Sequence, residues 1–172
     1  LFDFCHSDGY RFVTIGRFSA EKGHERLIRA FDCFCDKHPD AKLLIVGGHG
    51  KLYDKTVRLA ANQRHYQNIL ILRSISNPMP ILKQSDLFVL SSYYEGLPMV
   101  IQEADSIGLP IISTDIKGPH DFMGQYGGYL VPNTEEGIYE GMEAFARGEV
   151  HPMHVNYDER NKIAFEQFLA LC

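Results

Sequence analysis

Four side chains in two stretches could act on a ligand. Gly16-Arg17-Phe18-Ser19-Ala20-Glu21-Lys22-Gly23 places Arg17 and Lys22 on one loop bounded by glycines. A forked guanidinium and a flexible ammonium together suit phosphate oxygens. The same cations on a solvated surface loop would do no chemistry, and for a lone Arg or Lys that is the better reading. The second stretch is Ser91-Ser92-Tyr93-Tyr94-Glu95-Gly96-Leu97-Pro98-Met99-Val100-Ile101-Gln102-Glu103-Ala104, in which seven residues separate Glu95 from Glu103. Carboxylates held in a cleft accept hydrogen bonds from ligand hydroxyls.

Local pattern says how these residues are held. Asp86-Leu87-Phe88-Val89-Leu90 is a short apolar run that reads as a buried strand. Gly96 permits a tight turn out of it, and Pro98 suits the first turn of the helix that follows. Glu95 is therefore expected at the carboxyl end of a strand, facing a helix N-terminus. On a wheel of about 100° per residue, Val100, Ile101, Ala104, Ile107 and Gly108 form an apolar arc. Gln102, Asp105 and Ser106 form the polar side. Glu103 falls inside the apolar arc, between Met99 and Ile107. A carboxylate there needs a partner. A neighbouring backbone could satisfy it, or a ligand could, and the wheel does not choose.

The remaining chain supplies the frame. Strands are expected at 11–16, 42–47, 68–72, 87–90, 110–113 and 128–131. Between them come a helix carrying Leu27, Ile28, Phe31, Phe34 and Cys35 and a second over about 53–66. A short helical turn follows Pro78. A further helix spans 135–146, residues 151–156 read as a linker, and 157–171 reads as a terminal amphipathic helix with Ile163, Ala164, Phe168 and Leu169. Alternating strand and helix predict an α/β fold. It is a doubly wound, mostly parallel Rossmann-like sheet of about six strands, with helices on both faces. Ligands bind such sheets outside the carboxyl ends of the strands. Arg17, Lys22, Gly48, Arg73, Glu95 and Gly96 all fall in strand-to-helix loops.

Composition excludes several classes. The 172 residues suit one domain with a real core. A formal net charge of −5 argues against a nucleic-acid surface. No apolar run approaches a membrane span, and the N-terminus is not a signal peptide. Cys5, Cys33, Cys35 and Cys172 have no zinc-site spacing and read as reduced thiols of a cytosolic protein. No metal site is expected. The loop Gly47-Gly48-His49-Gly50 lets backbone approach a phosphate or a base. It is not G-x-G-x-x-G, and no P-loop is present, so dinucleotide and ATPase readings lose support. The chain starts at Leu1 without Met, which reads as a piece of a longer protein.

These motifs in this order resemble the C-terminal, donor-binding domain of family 4 glycosyltransferases (glycosyl transferases group 1), which have the GT-B fold. Glu95 and Glu103 resemble the E-x7-E segment, Gly16 to Gly23 the G-R-x4-K-G loop, and Gly47 to Gly50 the G-x-G loop. The resemblance runs from about Arg11 to the end and leaves out the N-terminal, acceptor-binding domain. It implies that residues 1–172 form one nucleotide-sugar binding domain that retains anomeric configuration and uses no metal. Gly16, Arg17 and Lys22 would hold the donor diphosphate, and Glu95 would contact the transferred sugar. Glu103 would accept from ribose hydroxyls, Gly48 would approach the donor, and the chain from Arg73 would lie beside the base. Backbone N–H groups of Gly96, Leu97 and Met99 would complete the sugar and phosphate site.

One departure is Ile116-Lys117-Gly118-Pro119-His120-Asp121, where the family often has Gly-Gly-x-x-Glu. Asp121 stands in for the Glu and Pro119 alters what reads as a loop; His120 reads as a surface residue. Tyr93-Tyr94-Glu95-Gly96-Leu97-Pro98 and Ser113-Thr114-Asp115 resemble bacterial enzymes of surface-polysaccharide or teichoic-acid assembly. Such an enzyme would be cytoplasmic, membrane-peripheral at full length, with a sugar or polymer acceptor held by the missing domain. Two alternatives stay open: half of another GT-B enzyme, such as a sugar-nucleotide epimerase, and a non-catalytic module that binds nucleotide or a partner chain.

Overall fold

Phe12-Val13, Leu43-Leu44-Ile45 and Leu87-Phe88-Val89 are fully buried, as strands covered on both faces must be. The computed structural model describes residues 1–96 and 98–169, without the side chains of Phe2 and Ala164. In chain order the elements are α1 (Phe2–Cys5), β1 (Arg11–Ile15), α2 (His24–Phe34), β2 (Lys42–Val46), α3 (Tyr53–Ala61), β3 (Ile69–Leu72), α4 (Met79–Leu82) and β4 (Leu87–Leu90). Then come α5 (Met99–Ser106), β5 (Ile111–Thr114), α6 (Lys117–Met123), β6 (Tyr129–Val131), α7 (Glu135–Ala146) and α8 (Tyr157–Leu169).

The strands form one parallel sheet in the order β3-β2-β1-β4-β5-β6. Val13 pairs with Leu44 on one side and with Phe88 on the other. On one face, Phe12, Ile45 and Val89 pack with Leu27 and Phe31 of α2 and with Ile138 and Met142 of α7. On the other, Val13, Leu44 and Phe88 pack with Ile101 and Ala104 of α5 and with Phe122 and Met123 of α6. The chain thus leaves β1 toward one face and β4 toward the other. That divergence opens the crevice in which doubly wound sheets bind ligands.

The structure corrects several expectations. α3 ends at Ala61. Asp32 accepts from the His65 backbone N–H at 2.8 Å and diverts the chain into a 3-10 turn at Tyr66–Asn68. Residues 117–123 are helix α6 rather than a loop. Pro119 lies in its first turn, where a missing N–H leaves no gap in the hydrogen bonding. Pro98 is the residue before α5, not its first turn. The apolar residues of α8 do not pack one face: Ile163, Phe165, Phe168 and Leu169 are all exposed. Residue 171 lies outside the described residues.

The wheel also misplaced the buried carboxylate of α5. Ile101, Ala104 and Asp105 are buried, and Glu103 is half-buried on the side away from Ile101. Asp105 accepts backbone N–H bonds from His154 at 3.0 Å and Val155 at 3.1 Å. Two such donors stabilise a buried carboxylate and hold His154 at φ 59°, a left-handed conformation that costs a non-glycine residue of order 1–2 kcal/mol. Asp105 therefore fixes the chain entering α8. Cys5, Cys33 and Cys35 are free thiols.

His24, the first residue of α2, is buried edge-on against Phe18 with ring centroids 5.3 Å apart. Neither ring nitrogen has a hydrogen-bond partner among the described residues. Burial, reinforced by the Lys22 charge and opposed by Glu25, pushes its pKa from 6.5 down to about 4. Between those values the unfolded chain binds more protons than the folded one. Stability is full above pH 6.5, falls as pH drops through that window and levels off below about 4, a loss of roughly 3 kcal/mol. Urea denaturation from pH 7 to pH 4 should show wild type losing roughly 3 kcal/mol relative to His24→Leu; a difference that does not change with pH would refute the assignment.

Candidate functional site

The loops after β1 and β4 meet at the crevice through one ion pair. Lys22 Nζ bonds Glu95 Oε1, and both side chains are only 14% exposed. Glu95 Oε1 also accepts from Ser92 Oγ at 2.9 Å. The stem of Lys22 lies across Gly16, where a Cβ would come within 3.1 Å of its Cδ. A side chain at the end of β1 would crowd that stem, and glycine avoids the crowding. Gly23, in a left-handed turn at φ 60°, follows it and packs against the Ser91 carbonyl, leaving no room for a side chain. Ser91 Oγ donates to the Lys22 carbonyl at 2.9 Å, and Tyr93 N donates to the Glu21 carbonyl at 2.8 Å. The two loops are laced together by backbone as well as by charge.

Beneath them is Arg26, 2% exposed, which the sequence reading overlooked. Its guanidinium donates to the carbonyls of Ser91 at 2.8 Å, Ser92 at 2.6 Å and Asn133 at 3.2 Å. It also lies 3.8 Å from the Tyr93 ring centroid. Thr114 Oγ1, from the end of β5, donates to the same Ser92 carbonyl at 2.6 Å. On the far side, Gly118 of α6 packs onto the Gly96 carbonyl so closely that no Cβ would fit. The Glu95–Gly96 turn is therefore held from β1, β5 and α6 at once. Two signals for this were present in the sequence. Arg26 shares an i+4 row with Ala30 and Phe34, and hydroxyl residues Ser91-Ser92 and Ser113-Thr114 interrupt two apolar strands at their carboxyl ends.

The predicted residues divide. Gly16, Lys22, Glu95 and Gly96 are brought together. Arg17 is exposed, with Nη2 3.4 Å from Glu21 Oε1. Arg73 is exposed as well, stacked 4.2 Å over the Tyr53 ring and 3.9 Å from Asp54. Met99 opens α5 and is 74% exposed. Glu103 carries no side-chain hydrogen bond or ion pair among the described residues. Gly48 faces open space, whereas its neighbours Gly47 and Gly50 are needed where the loop presses on Phe18. Leu97 lies outside the described residues. His120 belongs to α6 and its Nδ1 is 2.6 Å from Asp115 Oδ1, so its ring is engaged there. Beside Glu95 and Gly96 opens a cleft of about 400 Å³, bordered by Lys117, Asp121, Phe122 and Arg160.

Comparison with known proteins adds the lineage. Residues 6–163 match the family model of glycosyl transferases group 1. The chain belongs to that family. It is 36% identical over 151 residues to an uncharacterized glycosyltransferase, MJ1059, of Methanocaldococcus jannaschii, covering 78% of this chain and 37% of that one. It is 24% identical over 161 residues to the capsular polysaccharide biosynthesis glycosyltransferase CapM of Staphylococcus aureus, covering 91% and 42%. Among solved structures it is similar to a TarM mutant of S. aureus in complex with fondaparinux, alpha-GlcNAc-glycerol and UDP. The TM-score is 0.67 at 26% identity, over 78% of this chain and 29% of that one. This chain thus spans about two-fifths of the length of the two curated relatives named. No helix among the described residues is long and apolar enough to cross a membrane.

Arg26→Met keeps the stem and removes every donor, leaving the buried Ser91 carbonyl unpaired, the Ser92 carbonyl to Thr114 alone and the Asn133 carbonyl, at the protein's edge, to solvent. Loss of a charged group's hydrogen bonds to buried acceptors costs about 2–4 kcal/mol. An unfolding free energy from urea denaturation lowered by that amount, with a lower midpoint also in Arg26→Lys because one ammonium cannot span three carbonyls, is the expected result. Unchanged midpoints would show that the loop after β4 does not depend on it.

Proposed function

We propose that this chain is the donor-binding half of a retaining glycosyltransferase that moves a sugar from a nucleoside-diphosphate sugar to an acceptor. The observation that carries the reading is the Lys22–Glu95 pair across the mouth of the β1/β4 crevice. One partner is a cation suited to a diphosphate. The other is a carboxylate suited to sugar hydroxyls, and they touch where the bond between sugar and phosphate would lie.

Glycosyl transfer breaks the bond from the anomeric carbon to a phosphate oxygen. The electron pair stays with the diphosphate, and negative charge grows on it as it leaves. A cation already fixed at that position stabilises the developing charge without reorganising. In this reading Lys22 holds the leaving diphosphate. Arg17, one turn away and tethered only by a 3.4 Å contact to Glu21, swings onto it. Backbone N–H groups at the start of α5 add to the phosphate site. Glu95, held by Ser92 as well as by Lys22, accepts from hydroxyls of the transferred sugar. Glu103, half-buried and without a partner among the described residues, accepts from ribose hydroxyls. The stretches from Gly48 and Arg73 flank the nucleoside. The mechanism uses these cations rather than a metal.

The rest of the full-length protein would carry the acceptor and close over the donor. The name of CapM supports a role in bacterial surface-polysaccharide assembly, and in this reading the full-length enzyme works on the cytoplasmic side of a membrane. Without that second half the reacting groups are not brought together, and no turnover is expected from these 172 residues.

Calorimetric titration with UDP, GDP, ADP and CDP, alone and as sugar conjugates, tests the reading. One diphosphate should bind saturably. Lys22→Ala should weaken it about tenfold or more, the usual size of a charge-assisted contact, and Glu103→Ala should weaken it as well. A folded chain that binds none of them, or binds them equally with Lys22 removed, would contradict it.

A further inference from the structure

We propose that the cleft beside Glu95 is a subsite for a carboxylate carried by the transferred sugar, with Lys117 and Arg160 as its cationic walls. The donor would then be a nucleoside-diphosphate hexuronate. The inference rests on the reading of Glu95 as a sugar contact.

The first support is charge left unanswered. Arg11, Arg29, Arg64 and Arg147 each meet a carboxylate at 2.6–3.2 Å. Arg160 meets none among the described residues. Its guanidinium lies 4.9 Å from the Phe122 ring centroid, and Nη1 is 3.4 Å from the Gln102 amide oxygen. The Lys117 side chain has no hydrogen bond or ion pair among the described residues. Glu95 does not answer them, because Lys22 already neutralises it. Asp121 borders the cleft and cancels one charge. One positive charge remains there, on a chain whose formal net charge is −5.

The second support is placement. Asp105 holds the backbone of His154 and Val155, and so presents the first turns of α8, with Arg160, toward α6. Gln102 takes Nη1, which leaves the Nε–Nη2 edge without a partner among the described residues, and a guanidinium edge matches a carboxylate with two parallel N–H bonds. A cleft of about 400 Å³ lies within the range of small-molecule sites, about 300–1,000 Å³. It opens directly from Glu95 and Gly96, while the cations suited to the diphosphate, Arg17 and Lys22, follow β1. The group it receives therefore belongs to the sugar rather than to the diphosphate.

The test compares donors that differ only in that group. If the chain takes uracil, the probes are UDP, UDP-glucose and UDP-glucuronate; if guanine, GDP, GDP-mannose and GDP-mannuronate. Free glucuronate is a further arm. Each is titrated into wild type, the double variant Lys117→Gln/Arg160→Gln, and Lys22→Ala, with circular dichroism to show that all fold. The hexuronate conjugate should bind wild type about tenfold more tightly than the hexose conjugate. The double variant should lose that preference while keeping its affinity for the bare diphosphate. Equal affinity of the two conjugates for wild type, or a preference that survives in the double variant, would overturn the subsite. Free glucuronate binding that the double variant abolishes, with no preference between conjugates, would place the anion on the acceptor instead and overturn the assignment to the donor. No diphosphate binding, or binding indifferent to Lys22→Ala, would remove the donor reading and this subsite together.

Discussion

An ammonium and a carboxylate, each 14% exposed, must stay paired at the seam of the sheet. Separating them would strand a partly buried charge, at a cost of about 3–5 kcal/mol for a well-buried pair and less here. Lys22 comes from the loop after β1 and Glu95 from the loop after β4. These strands are neighbours whose helices leave to opposite faces. The pair spans the place where a doubly wound sheet cannot cover its own strand ends. Much of the surrounding architecture can be understood as what holds those two loops at bonding distance.

The supports are of different kinds. Gly16 clears a path for the Lys22 stem, and Gly118 lets α6 close against Gly96. Arg26 and Thr114 satisfy carbonyls that the turn after β4 leaves pointing inward. Arg26 is a buried cation answered by carbonyl dipoles and a ring face rather than by a carboxylate. That arrangement fixes backbone geometry without placing a second negative charge beside Glu95. The loop is thus rigid where it faces Lys22, while Met99, Arg17 and Arg73 remain exposed around it.

Much of this was legible in the sequence because short apolar runs and glycine-bounded loops carry local signals. The strand before Glu95, the loop of Lys22 and helix α7 were all readable from period and punctuation. Family resemblance singled out Lys22 and Glu95, but nothing local indicated that they touch. Their contact depends on β1 lying next to β4, a pairing between segments far apart in the chain. The wheel placed Glu103 in the apolar arc of α5 and Asp105 on the polar side. The reverse arises because Asp105 captures backbone donors from the 154–155 segment, and burial follows those partners rather than residue type. α6 read as a loop because Gly118 and Pro119 are helix breakers in general, though not in a first turn. Arg26 at least shared a row with Ala30 and Phe34, whereas Arg160 carried no local signal: its surroundings, Gln102 and Phe122, come from elements distant in sequence.

The central claim is that Lys22 and Glu95 act on one ligand as a coupled pair, and a double-mutant cycle measures coupling directly. Nucleoside-diphosphate affinity would be determined calorimetrically for wild type, Lys22→Ala, Glu95→Gln and the double variant. The account predicts that Glu95→Gln changes affinity only while Lys22 is present, with a coupling energy above about 1 kcal/mol. Additive effects of the two substitutions would contradict it.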